Sequence, residues 1–154
     1  MYDLQEIEAI KRLKYAYFRC LDCKSWDALA ECFVPEATAA YSSGKYSYEG
    51  RDNILAFLVE SLGRDTILTM HQGHHPEIEL TSETSATGVW ALEDRVIDLQ
   101  FGITIRGTAF YRDEYVKVGG EWKLKSTAYD RVFEETESRA DTASLQITAN
   151  MFGD

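Results

Sequence analysis

Apolar residues recur at Leu4, Ile7, Ile10, Leu13, Tyr17 and Leu21, every third or fourth position, with Lys11, Arg12, Lys14 and Arg19 between them. That spacing predicts an amphipathic helix over the first 24 residues, its basic side chains on the outer face. Ser25 offers an N-cap oxygen to a short second helix, in which Trp26, Leu29, Ala30 and Phe33 repeat the period until Pro35. Residues 37 to 49 alternate small, polar and aromatic groups around Ser42-Ser43-Gly44, which predicts two short strands and a turn. Ile54, Phe57, Leu58 and Leu62 predict a third helix between Gly50 and Gly63.

From Thr66 the period changes from 3.6 to 2. Residues 66–81, 84–99, 103–118 and 121–133 read as four long strands, the last two joined by the hairpin signal Gly119-Gly120. No helix separates them, so they pair antiparallel, and the fold class is α+β. Strands this long must bend. A strongly curved, mainly antiparallel sheet wrapped around the N-terminal helices makes a cone-shaped barrel with a cavity at its open end. Residues 1–134 form that single domain. Residues 135–154 are a C-terminal tail, either loose or docked over the cavity or a neighbouring subunit.

Composition narrows the partners. Of 154 residues, 45% are hydrophobic, enough for one domain with a core, and 26 acidic against 16 basic residues leave a net charge of −10. Such a surface repels nucleic-acid phosphates and anionic lipid. Every apolar run is interrupted by charge well short of the ~20 residues of a membrane span, and Met1-Tyr2-Asp3 opens an acidic segment instead of a basic leader. The three cysteines, an odd number, do not form a disulfide framework and fit a reducing cytoplasm.

The candidate chemistry is concentrated. All three histidines lie in Met70-His71-Gln72-Gly73-His74-His75-Pro76. On a strand rising about 3.3 Å per residue, His71 and His75 share a face but stand roughly 13 Å apart, and His74 points the other way. A single metal therefore does not gather them, and Cys20 and Cys23 form a lone C-x-x-C at helical spacing with no second ligand pair. No metal and no cofactor are expected. His71, mid-strand on the concave face, is the best proton-transfer candidate. No Gly-x-Ser-x-Gly elbow or phosphate loop is present. Asp22, Glu93, Asp94 and Asp98 fall in apolar segments, and Trp90, Leu92, Asp94 and Val96 share one strand face. An acid on such a face is either paired or shifted in pKa, and Arg131 is its candidate partner.

The ordered segments Tyr17-Phe-Arg-Cys-Leu-Asp22, Trp26-Asp27, Cys32-Phe33, Tyr48-Glu-Gly-Arg51, Thr69-Met-His71, Gly88-Val-Trp-Ala-Leu-Glu-Asp94, Phe110-Tyr111, Tyr115 and Gly119-Gly-Glu-Trp-Lys123 resemble the SnoaL-like branch of the nuclear-transport-factor-2-like superfamily. Scytalone dehydratase, hexachlorocyclohexane dehydrochlorinase and bile-acid dehydratase relatives belong there. The resemblance covers residues 4 to 134 and implies a cone with a hydrophobic cavity for a small cyclic molecule. It also implies roles: Asp22 orienting His71, which takes a proton from carbon; Tyr17 hydrogen-bonded to a substrate oxygen; and Trp90, Asp94 and Arg131 facing the substrate. Three readings follow, a dehydratase-like lyase, a ketosteroid-isomerase-like double-bond isomerase, or a non-enzymatic ligand binder. The isomerase needs Asp94 cavity-facing and unpaired. Phe110, Tyr115, Val116 and Val118 on an open sheet face predict a homo-oligomer, dimer or trimer.

Overall fold

The computed structural model describes residues 3–153, so the opening Met1 and Tyr2 of the acidic leader argument lie outside the described residues. Asp3 caps the first helix, α1 (Leu4–Asp22), its side chain accepting from the backbone N–H groups of Gln5 and Glu6. Ile10, Tyr17, Phe18, Cys20 and Leu21 face inward as the period requires. Lys14 does not follow the expectation of a basic outer face, because it is fully buried. The second helix, α2 (Trp26–Ala30), is shorter than its period implied. Phe33 and Pro35 belong instead to strand β1 (Phe33–Tyr41), where Phe33 is buried and the ring of Pro35 is exposed. Ser25 occupies the N-cap position of α2 without a side-chain capping bond.

Strand β2 (Tyr46–Glu49) returns antiparallel to β1, and helix α3 (Arg51–Leu62) follows. The long strands are β3 (Ile67–Leu80), β4 (Ser85–Asp98), β5 (Ile103–Val118) and β6 (Glu121–Ser138). One six-stranded sheet has the order β2-β1-β6-β5-β4-β3, antiparallel except where β1 runs parallel to β6. It is curled but not closed. The parallel pair is the one feature of the pairing that a run of hairpins does not announce, since it joins the two ends of the chain. Strand β6 continues five residues past the expected end at 133, because Glu134 to Ser138 pair with Ile103 to Gly107. A single 3-10 turn (Arg139–Thr142) follows, and at the end of the tail the Phe152 ring lies 4.1 Å from Lys24 Nζ beside the end of α1.

Bulges bend the strands. The β3–β4 register shifts between His74 and Glu77, where His75 adopts φ +47°, so simple alternation fails there and His75 does not share a face with His71 as a regular strand would have it. Further shifts lie at Thr108/Ala109 and Glu114/Tyr115 on β5. The residue skipped at each of these shifts lies on β6, and β5 keeps its alternation: Tyr115 is buried in phase with Ala109, Tyr111 and Asp113, and so lies on the opposite face from Phe110 and Val118, not on the open face with them. Inside the curl, α1 packs its Tyr17 and Phe18 edge-on against Tyr111, and Phe18 edge-on against Trp90. Gly73 on β3 makes that approach possible, because a Cβ there would come within 3.0 Å of both Phe18 and Trp90 ring carbons.

Candidate active site

The last residue of α1 and the middle of β3 meet at the wide end of the cone. Asp22 Oδ1 accepts hydrogen bonds from Thr69 Oγ1 at 2.8 Å and from His71 Nδ1 at 2.6 Å, while Oδ2 accepts from the His71 backbone N–H at 2.8 Å. Three donors from one short stretch of strand thus fix both oxygens. A carboxylate only accepts, so His71 Nδ1 carries the hydrogen of this contact, and Nε2 is the ring nitrogen left to exchange a proton with a ligand. The His71 side chain is only 10% exposed, and it lines a cavity of about 260 Å³.

Tyr17, Tyr41, Tyr111 and Tyr129 also line this cavity, with Tyr46 and Phe57 from β2 and α3 and Leu21, Leu58, Leu62 and Val96 completing the apolar surface. The Tyr17 and Tyr41 hydroxyls are 3.1 Å apart, so one can donate to the other and leave a second phenol hydrogen for a ligand. Burial pushes the phenols of Tyr17, Tyr41 and Tyr111 well above their ordinary range. They stay protonated donors at any physiological pH.

Asp94 and Arg131 both line the cavity and form a two-point ion pair, Nη1 to Oδ1 at 2.5 Å and Nη2 to Oδ2 at 2.9 Å. Burial alone would lower the guanidinium pKa, but the Asp94 carboxylate outweighs it and holds Arg131 firmly charged. Strand register explains the meeting: His71 is opposite Asp94, Asp94 opposite Gly107, and Gly107 opposite Glu134. Gly107 leaves room for the guanidinium, since a Cβ there would collide with Arg131 Nη1. The free carboxylate that an isomerase base requires is therefore absent at Asp94.

Five of the six residues singled out from sequence converge here, Asp22 as the support behind His71 and the others on the cavity wall. Trp90 does not. It shares a face with Asp94, but four residues along a strand carry it roughly 13 Å toward the closed end, where it is 1% exposed and its indole N–H donates to the Tyr115 hydroxyl at 2.9 Å. That closed end holds a group the sequence reading missed. Lys14 Nζ pairs with Asp113 Oδ2 at 2.8 Å, both side chains without solvent contact, and Asp113 also accepts from Thr127 Oγ1 and the Tyr115 hydroxyl. Desolvation lowers the Lys14 pKa against the opposing pull of Asp113. The missed cavity tyrosines were detectable in principle, because Tyr111 alternates in phase with Ala109 and Asp113, and Tyr129 with Thr127 and Arg131. Nothing in the sequence fixed which phase faced inward.

Cys32 is not a nucleophile at neutral pH, as burial pushes its thiol up to about 11. Among the described residues no three His, Cys, Asp or Glu side chains are grouped as a metal ion would need. Nor is any described helix long and apolar enough to cross a membrane.

The family model of the SnoaL-like domain matches residues 3–128. The chain belongs to the SnoaL-like family. Solved structures with the same SnoaL-like fold include a candidate scytalone dehydratase from Novosphingobium aromaticivorans DSM 12444, 24% identical over 96% of this chain and 92% of that one, with a TM-score of 0.80. The hexachlorocyclohexane dehydrochlorinase LinA-type3 from Novosphingobium barchaimii LL02 is 18% identical over 95% and 96% of the two chains, also with a TM-score of 0.80. ActVI-ORFA from Streptomyces coelicolor is 16% identical over 83% and 98%, with a TM-score of 0.71. At these identities the likeness shows a shared fold, and the chemistry of this SnoaL-like chain has to be argued from its own side chains.

Proposed function

We propose that this protein is a cofactor-independent lyase of the dehydratase type, acting on a small hydrophobic cyclic substrate with an acidic C–H beside a carbonyl. The observation that carries the reading is the fixed Asp22 and His71 pair opening onto an aromatic cavity. His71 Nε2 takes the proton from carbon, and Asp22 supports the resulting imidazolium through Nδ1. The C–H electron pair becomes the new C=C bond as the neighbouring C–O bond breaks. The departing hydroxide takes the proton back from the imidazolium and leaves as water, which restores the base. Tyr17, backed by Tyr41, donates to the substrate carbonyl as charge builds on its oxygen. The dehydratase and dehydrochlorinase names among its structural relatives favour elimination chemistry on this fold.

The test is turnover of a substrate found by screening cyclic β-hydroxy ketones. His71→Ala and Asp22→Asn are each expected to lower kcat by about 10²–10⁴-fold while leaving the folded near-ultraviolet spectrum intact. Unchanged turnover in both variants would falsify the catalytic role and leave a ligand-binding protein.

A further inference from the structure

We infer that Lys14 is a positioning residue: from the closed end of the cone its ammonium holds the rings of Tyr17 and Tyr111, and so keeps the Tyr17 hydroxyl aimed at the substrate oxygen. The step that it serves rests on the lyase reading above, but the contact itself does not.

Lys14 is fully buried and takes no part in the steps proposed above. It lies one turn before Tyr17 and Phe18 on the same face of α1. Its Nζ stands 3.7 Å from the ring centroid of Tyr111, 4.4 Å from that of Tyr17 and 5.1 Å from that of Phe18. A cation within about 6 Å of a centroid is drawn to the ring face, and more strongly once water is excluded. One atom therefore contacts a ring from α1 and a ring from β5, and both of those rings belong to phenols that line the cavity on their other side. That atom is itself fixed. Asp113 Oδ2 holds it at 2.8 Å and also accepts from the Tyr115 hydroxyl at 2.8 Å, while Oδ1 accepts from Thr127 Oγ1 at 2.7 Å.

Stability does not account for the charge. A desolvated ion pair is often replaceable by apolar side chains of like volume at no loss of stability. An apolar group packs against the face or the edge of a ring alike, whereas an ammonium favours the face, so the charge sets the angle of the two rings as well as their distance. The angle has a chemical consequence. The Tyr17 hydroxyl moves with its ring, lies 3.1 Å from that of Tyr41, and is the donor to the substrate carbonyl in the reaction proposed above. Misplacing such a group by about 1 Å costs on the order of 10²-fold in rate.

Two charge-free pairs test this in the full-length protein. Lys14→Gln with Asp113→Asn keeps a hydrogen bond between the side chains, and Lys14→Met with Asp113→Leu is the apolar equivalent. Leu29→Ala, a truncation of the core outside the cavity lining, controls for lost stability alone. Without ligand, ring-flip rates of Tyr17 and Tyr111, read by 13C exchange in protein labelled at the tyrosine rings, are expected to rise at least about tenfold in both pairs and to stay at the parent values in Leu29→Ala. On the substrate found by the screen above, both pairs should lower kcat by about 10- to 100-fold with KM within about threefold. Tyr17→Phe should then cost less in their background than in the parent, because Lys14 acts through that ring. The inference is overturned if flip rates or kcat in the pairs match the parent, if Leu29→Ala reproduces either change, if Tyr17→Phe costs as much in their background, or if neither pair folds. The lyase reading fails separately: unchanged turnover in His71→Ala removes the reaction and leaves the flip rates to decide the contact, whereas His71-dependent turnover indifferent to both pairs removes only the role of Lys14.

Discussion

Individual side chains in this protein divide into two polar groups with different work. Asp22 is half-buried and keeps His71 in one tautomer, a role that depends on three donors spaced along Thr69 to His71. The Lys14–Asp113 pair lies deeper and touches no cavity surface; its ammonium sits 3.7 Å from the Tyr111 ring centroid and 4.4 Å from that of Tyr17. An ion pair so completely desolvated contributes little net stability, yet removing one partner strands the other. Lys14→Met is therefore expected to destabilise the fold by about 3–5 kcal/mol, measured by urea denaturation. Adding Asp113→Leu should recover much of that loss, and a larger loss in the double variant would contradict the ion-pair account. Residue type alone made His71 and Asp94 visible in the sequence. It placed Lys14 wrongly, since a lysine in a basic run reads as solvated unless its buried partner, 99 residues later, is known.

At the scale of elements, the site depends on how closely α1 approaches β3. Gly73 sets that distance, because both Phe18 and Trp90 occupy the space a side chain would need. Gly73→Ala is expected to lower stability by about 1–3 kcal/mol in the same denaturation assay, and to reduce activity more than stability alone explains, since tilting α1 moves Asp22 away from His71. A variant as stable and active as the parent would show that the packing can relax. Periodicity located α1, α3 and the four long strands to within a few residues, because amphipathic burial imposes the period. It extended α2 too far, as Leu29 and Phe33 are four apart and both buried, yet one is helical and the other begins a strand. It ended β6 too early because Glu134 to Ser138 carry charge. Those residues still pair with β5, for cross-strand hydrogen bonding does not require apolar side chains.

For the whole molecule, the buried phenols tie stability to alkaline pH. The pKa values of Tyr17, Tyr41, Tyr111 and Tyr115 are raised by burial above the ordinary value of about 10. A raised folded-state value means that their contribution is fully present below pH of about 10 and is lost as the pH climbs beyond it. Phenolate absorbance should accordingly rise in two stages, with these four of the nine tyrosines appearing only as the protein unfolds. A single smooth titration of all nine would contradict their burial. The outer face of the sheet exposes Phe110, Val132 and Phe133, and we expect a second copy to cover it. Sedimentation should show a dimer or trimer that Phe110→Asp shifts toward monomer, and a monomeric parent protein would remove the argument. The sequence by itself determined the α+β class, the curved sheet around a helix, the acidic exterior and the short set of residues worth testing, because periodicity and charge are local properties of a chain. Tertiary structure alone decided that Asp22 and Thr69 meet His71, that Arg131 occupies Asp94, that Trp90 turns away from the cavity and that Phe57 lines it. Each of those contacts depends on strand register and on bulges that change which side chains face inward, and one residue of slip reverses a whole face.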